Sequence, residues 1–274
     1  MTGLSRRPVP AAGRHHACDL RDAAKTAEAI RELQPDVVIH AQAFSDVDRC
    51  EQQPEEAETM NVRTTANLLE ALRGTAARLI YISTDYVFDG TKGRPYDETD
   101  PPNPLSVYGR TKLAGERLAL GHPQAMVVRL STLYGAGRKT FCDHVVDQLR
   151  SGQLVEAFMD QTTSPSFTDD VAGGLNDLLG AFGRPTLPGR ILHLANAGSC
   201  SRVEWARCVA DTLGLSQEGI KPVLMSSTAR PAPRPPYSAL STRWGPEMIG
   251  RTLRPWQEAL DAYLRQRHMI ERPS

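Results

Sequence analysis

Apolar residues recur at helical spacing over residues 21–33 and then close into the short run Asp36-Val37-Val38-Ile39-His40, which reads as a buried strand. Pro35 between them ends the helix, because its ring and missing N–H do not fit a helix interior. The same alternation returns as a helix over 55–72, a strand at Leu79-Ile80-Tyr81-Ile82-Ser83, a helix over 108–120 and a strand at Ala125-Met126-Val127-Val128-Arg129-Leu130. Loop residues dominate in between, from 84 to 106, with Gly90, Gly93, Pro95, Pro101, Pro102 and Pro104. Strand–helix–strand units of this length predict a parallel sheet with helices on its faces, the doubly wound, Rossmann-like α/β class.

Beyond Gly135 the order loosens into a helix near 141–150, a strand near Val155, a helix over 169–181, a strand over 191–194 and helices over 203–213 and 256–267. The expected division is a Rossmann-like core over 1–135, with a further part from about 155–195, and a smaller C-terminal α/β substrate-binding lobe over 136–274. The proline-dense stretch Arg230-Pro231-Ala232-Pro233-Arg234-Pro235-Pro236 admits a linker, a polyproline segment or an ordered loop over the substrate cleft. Periodic apolar sequence resumes after it, which favours the ordered loop.

Charge narrows the function classes. Lys and Arg number 32 against 32 Asp and Glu, so the chain carries neither a basic footprint for nucleic acid nor an electrostatic anchor for a membrane. Five cysteines without CxxC spacing, an odd number, argue against a disulfide framework and for a reducing, cytoplasmic setting. No apolar run reaches the ~18–20 residues of a membrane span, and the first residues lack the apolar centre of a secretory signal. A soluble protein acting on small molecules is expected.

The candidate chemistry starts at Tyr108-Gly109-Arg110-Thr111-Lys112, where residues four apart share one helix face. A phenol titrates near ~10, so at neutral pH it exchanges a proton usefully only with an ammonium nearby to stabilise the phenolate. Lys112 is spaced to supply one. YxxxK by itself is a common coincidence, but Tyr81-Ile82-Ser83-Thr84-Asp85 adds a strand ending in hydroxyl and carboxylate groups, at the end of a parallel strand where ligands bind. A hydroxyl there can bond a substrate carbonyl while Tyr108 gives its proton.

The stretch from Ser83 to Glu116, STDYVFDGTKGRPYDETDPPNPLSVYGRTKLAGE, resembles the core of the dTDP-4-dehydrorhamnose reductases, extended short-chain dehydrogenases/reductases. The likeness extends through Val47-Asp48-Arg49-Cys50-Glu51, Asn61-Val62, Ser164-Pro165-Ser166-Phe167-Thr168 and Arg234-Pro235, and covers about residues 18–245. It implies Thr84, Tyr108 and Lys112 as the catalytic triad, and Asp85, Val87, Phe88, Thr132 and Arg234 beside the sugar nucleotide. It also implies Asp19 and Leu20 along the adenine, Ala41, Gln42 and Ala43 behind the riboses, and Tyr108 and Lys112 at the nicotinamide ribose. The implied reaction is reduction of a nucleotide-linked 4-keto-6-deoxysugar with NADPH, NADH being the alternative.

Two departures stand out. Relatives resemble one another in opening with a strand, a GxxGxxG turn and a helix that receives the cofactor pyrophosphate. Here Gly3 and Gly13 neither follow an apolar strand nor open a helix, and Met1-Thr2-Gly3-Leu4-Ser5-Arg6-Arg7 reads like the end of the second strand of such a fold. An N-terminally truncated version of the fold is therefore expected, through a start that omits the segment, a degenerate paralogue or a cleft completed by a partner. Arg6 and Arg7 then stand where guanidinium groups meet the 2′-phosphate of NADP, or form a solvated pair at a frayed end. Rhamnose-forming relatives often carry tryptophan at the place of Thr132.

His15-His16 point apart in an extended segment, and no further ligand has metal spacing; magnesium, used by some relatives, has no identified ligands. Against the reductase stands a non-catalytic, regulatory sugar-nucleotide-binding subunit similar to the methionine adenosyltransferase beta subunit, and a homodimer or a regulatory partner is the expected assembly. An epimerase or dehydratase is a third reading, though no glutamate adjoins Asp85 to form the Asp-Glu pair of such dehydratases.

Overall fold

The computed structural model describes residues 1–7, 13–137, 139–181 and 189–268. Two compact units emerge, Met1–Ser83 with Ser106–Val128, and Thr84–Leu105 with Arg129–Ser274.

The first unit begins with β1 (Thr2–Ser5) and β2 (Arg14–Ala17), paired in parallel, followed by α1 (Ala23–Leu33) and β3 (Val37–His40). Asp22 caps α1 by accepting from the Lys25 amide at 3.0 Å. Gln34 ends it in the left-handed region at φ 42°, and Pro35 blocks continuation. Next come α2 (Val47–Gln52), α3 (Pro54–Glu58), a π-helical turn (Thr59–Arg63) and α4 (Thr64–Leu72). Then follow β4 (Arg78–Thr84), α5 (Val107–Leu120) and β5 (Ala125–Leu130). β3 and β4 are parallel, Val37 facing Arg78 and His40 facing Tyr81.

Within this unit the strands form two separate flanks, β2–β1 and β3–β4–β5. In the doubly wound order 3-2-1-4-5-6 these are positions 3-2 and 4-5-6, and no strand among the described residues stands at position 1. Met1–Arg7 thus does hold a strand, β1, placed on the flank the sequence predicts. The expected single helix over 55–72 is instead broken at the π turn. The Met60 carbonyl there accepts from the Gln42 amide at 3.0 Å and the Thr64 hydroxyl at 2.7 Å, which draws it out of regular helical pairing.

Gly115 on α5 lies against the buried Tyr81 phenol, and a Cβ there would sit within 3 Å of the ring and 3.1 Å from the Asn61 carbonyl. Gly115→Ala gains about 1 kcal/mol of helix propensity and loses about 1–3 kcal/mol to overpacking. Because neither Tyr81 nor a backbone carbonyl has room to yield, the expected net result is a Tm lower by several degrees in a thermal melt.

The second unit carries β6 (Leu133–Tyr134), α6 (Phe141–Arg150), β7 (Val155–Phe158), β8 (Thr162–Thr163), β9 (Ser166–Phe167), α7 (Thr168–Ala181), β10 (Ile191–His193), β11 (Cys200–Ser201), α8 (Arg202–Leu213), β12 (Ile220–Val223), α9 (Gly245–Ile249) and α10 (Trp256–His268). Its core is aromatic: Tyr134 packs against Phe167 at 5.7 Å and against Trp205 and Tyr263 at 5.4 Å between ring centres. The proline stretch is an ordered loop here. Pro235 and Pro236 press on Gly90, which has φ 82°, and the Pro236 carbonyl accepts from the Thr162 amide at 2.8 Å. β12 was not expected, and it runs parallel to β7. Among the described residues no helix is long and apolar enough to cross a membrane.

Candidate active site

In the first unit the site is built on α5. Ser106 caps its start by accepting from the Gly109 amide at 3.2 Å, and the Val107 amide donates to Glu51 Oε2 at 2.9 Å. Tyr108 stands in the first turn, half-buried; Lys112, one turn on, is 2% exposed. The Lys112 Nζ donates to the Ile82 carbonyl at 2.7 Å and lies 4.2 Å from the centre of the Tyr81 ring. Burial pulls the Lys112 ammonium down to about 7, with the charge of Glu116 acting the other way.

Burial raises the Tyr81 phenol above its usual range, so it stays protonated. His40, whose Nε2 pairs with the Thr65 hydroxyl at 3.0 Å, is lowered to about 3 by burial and by Lys112. His40 is thus a satisfied core group, as expected.

Asn61 ties the loop after β3 to α5. Its Oδ1 accepts from the Phe44 amide at 2.7 Å, while its Nδ2 donates to the Phe44 carbonyl at 3.2 Å and to the Thr111 hydroxyl at 3.0 Å. Gln42 is fixed between the Met60 carbonyl and the Thr64 hydroxyl, Ala43 is half-buried and Ala41 is exposed. An open depression of about 800 Å³ brings Arg6 together with Ala43, Phe44 and Arg49. A second, of about 540 Å³, brings Arg6 together with Asp19. Hydrogen bonding to Arg21 lowers the Asp19 carboxyl to about 2, so it is an anion at neutral pH. The Leu20 carbonyl accepts from Asn67 at 2.8 Å. Arg7 is exposed, and its carbonyl accepts from Ser5 Oγ at 2.6 Å.

A dinucleotide such as NADPH suits part of this set. Exposed Arg6 offers a guanidinium to a phosphate, and Ala43 lines the same depression. The sheet position that carries a pyrophosphate-binding turn in doubly wound folds is not among the described residues.

In the second unit Thr84 donates to Asp85 Oδ1 at 3.0 Å and accepts from the Tyr86 amide at 3.2 Å. Asp85 is 4% exposed, and its Oδ2 accepts from Ser131 Oγ at 2.9 Å and Ser238 Oγ at 2.6 Å. Burial raises its carboxyl, and the bonds from Ser238, Ser131 and Thr84 pull it back. Asp85 therefore spends its oxygens on hydroxyls of the protein. Val87 and Phe88, expected beside the sugar nucleotide, are fully buried. Phe88 stacks 4.1 Å from Tyr96 and has the Arg129 guanidinium 5.1 Å from its ring centre.

Thr132 is partly exposed and bonded to Thr163 Oγ1 at 2.7 Å; Arg234 is half-buried and donates to the Ala232 carbonyl at 2.9 Å. Ser131, Thr163 and Ser238 were not singled out by the sequence, and isolated hydroxyl residues carry no pattern that would reveal them. His193, a second satisfied core histidine, joins Arg129, the Tyr96 carbonyl and, through its amide, Glu98. Among the described residues no group of three or more His, Cys, Asp or Glu side chains could hold a metal ion, so magnesium finds no ligand set there.

A Rossmann-like α/β chain with Thr84-Asp85 at a strand end, and Tyr108 and Lys112 four apart on the following helix, has the make-up of an extended short-chain dehydrogenase/reductase. The chain belongs to the family described as RmlD substrate binding domain, which matches residues 4–269. The dTDP-4-dehydrorhamnose reductase of Mycobacterium tuberculosis is 41% identical over 250 residues, covering 88% of this chain and 80% of that protein. The enzyme of the same name from Mycolicibacterium smegmatis is 37% identical over 248 residues, 89% of this chain and 73% of that one. Among solved structures, a dTDP-4-dehydrorhamnose reductase from Clostridium acetobutylicum superposes with a TM-score of 0.86 at 27% identity, covering 98% of this chain and all of that one. The Bacillus anthracis enzyme in complex with NADP gives 0.85 at 25% identity, covering 97% and 98%.

Proposed function

We propose that the chain reduces a nucleotide-linked 4-keto-6-deoxysugar, dTDP-4-dehydrorhamnose or a near relative, with NADPH. The observation that carries this reading is Lys112, an ammonium buried one turn from Tyr108 on α5, in a chain 41% identical to a dTDP-4-dehydrorhamnose reductase. NADPH, when bound, supplies the hydride to the carbonyl carbon. Tyr108 gives its phenolic proton to the carbonyl oxygen as that hydride arrives, so the ketone becomes an alcohol and the phenolate is left behind. Lys112 stabilises the phenolate, and solvent returns the proton. Arg6, Ala43 and Lys112 are the residues that would hold the dinucleotide. The absence of disulfides among the described residues is compatible with work in the cytoplasm. The names of the relatives favour the reductase over a non-catalytic regulatory subunit.

The test follows NADPH consumption by the purified chain with dTDP-4-dehydrorhamnose and related ketosugars. Steady oxidation with a product heavier by two hydrogens is expected. A folded protein that turns over none of them refutes the reading, and calorimetry with NADPH then separates a lost cofactor site from a different substrate.

A further inference from the structure

Within the first unit Lys112 is held by two neighbouring residues of β4. Its Nζ spends one of three N–H donors on the Ile82 carbonyl at 2.7 Å and stands over the face of Tyr81, 4.2 Å from the ring centre. Gly115, three residues on and so on the same side of α5, lets the helix come this close, since a Cβ there would sit 2.7 Å from the ring carbon that bears the hydroxyl. Tyr81 is 1% exposed, and its hydroxyl donates to the Lys112 carbonyl at 3.4 Å. Burial keeps the phenol protonated, so the ammonium meets a neutral ring. Among the described residues Lys112 makes no ion pair. The titratable groups around it in this unit are His40 on β3, and Tyr108 and Glu116 on α5, the Glu116 charge acting from beyond ion-pair distance. On the helices packed against α5, Glu51 faces the first turn of α5, and Glu55, Glu56, Glu58, Arg63 and Glu70 are exposed.

We propose that Tyr81 is a positioning residue: its ring face holds the Lys112 ammonium in place and charged, one turn from Tyr108, and thereby sets the upper pH limit of the reduction. The kinetic consequence rests on the reductase reading above, whereas the hold of the ring on the ammonium stands on the geometry alone. A buried ammonium has lost water and needs another source of stabilisation. A carboxylate in contact would supply it, but would also occupy N–H donors and set a negative charge against the phenolate that Tyr108 becomes. An aromatic face attracts the cation through its quadrupole, uses none of its donors and adds no net charge. Lys112 thus keeps two N–H groups and its full positive field for the reaction. Without the ring, the burial that draws the ammonium down to about 7 is opposed only by Glu116, so the proton leaves at lower pH.

The test replaces Tyr81 by phenylalanine and by phenylalanines carrying one, two or three ring fluorines, which keep the shape of the ring while draining negative potential from its face. Each protein is labelled at the lysine ε-carbon, and the titration of Lys112, assigned by its loss in Lys112→Arg, is followed by NMR beside the pH profile of kcat/KM for NADPH and the ketosugar. Tyr81→Phe should leave both midpoints in place, because the face remains and only the hydroxyl is lost. Successive fluorines should move the two midpoints down together, by on the order of one pH unit overall, with the rate on the acid plateau retained. Tyr81→Leu should shift them by a similar amount; if it does not fold, the fluorinated series, alike in shape, still decides. A Lys112 titration that moves with fluorination in a protein that reduces no ketosugar overturns the reductase reading and supports the hold of the ring. A titration indifferent to fluorination overturns the positioning role and leaves Tyr81 as packing. A titration that moves while the kinetic limb stays overturns the control of the pH limit by Tyr81.

Discussion

Tyr108→Phe is expected to lower kcat for ketosugar reduction by about 10²–10⁴-fold, the range over which a positioned proton donor contributes to a rate. The substitution removes one oxygen from a half-buried side chain in the first turn of α5. It leaves the Ser106 cap, the Glu51 bond to the Val107 amide and the Asn61 bond to Thr111 in place. Helix and fold should therefore persist, with Tm moving by no more than a degree or two. NADPH affinity should change little, because Arg6 and Lys112 remain. A variant that retains a tenth of the rate, in a protein of unaltered stability, assigns the proton to another group.

The parts of this architecture that were legible in the sequence are those where burial is uniform. β3, β4 and β5 are short apolar runs, and β5 is buried at every position from Ala125 to Leu130. β12 escaped notice because Ile-Lys-Pro-Val reads as a loop. Pro222 is tolerated there because β12 pairs, among the described residues, with β7 alone, and Lys221 pairs with Glu156 across the register. The π turn escaped because what opens it, the capture of the Met60 carbonyl by Gln42 and Thr64, is a side-chain event within an otherwise helical pattern.

The site divides in the same way. Tyr108 and Lys112 were readable because a helix converts a spacing of four into a shared face. The partners of Asp85 were not readable because they are far off in sequence: Ser131 is 46 residues away and Ser238 is 153. The burial of Val87 and Phe88 was hidden for a related reason. Adjacent to Thr84-Asp85 in the motif, they turn inward, and Phe88 lies under Arg129.

The second large effect concerns the charge of Lys112. Burial lowers its ammonium to about 7, whereas in an unfolded chain a lysine holds its proton to ~10.4. If the protonated form supports Tyr108, kcat/KM should fall as pH rises through about 7, along a limb carried by this residue. The stability effect has the opposite sign. Between about 7 and ~10.4 the unfolded chain binds the proton and the folded chain does not, so stability rises with pH across that window; below it both states are protonated and the cost of burying the charge is fully present. From neutral to mildly alkaline pH the enzyme should therefore lose activity while its Tm holds or climbs, a combination that unfolding cannot produce. Lys112→Arg keeps a cation at every accessible pH, so the activity limb should move beyond pH ~9. Lys112→Met should lower kcat/KM by about 10²-fold throughout, since the phenolate then forms unaided, and should flatten the pH dependence of Tm. An alkaline limb that stays in place in Lys112→Arg assigns the titration to a different group.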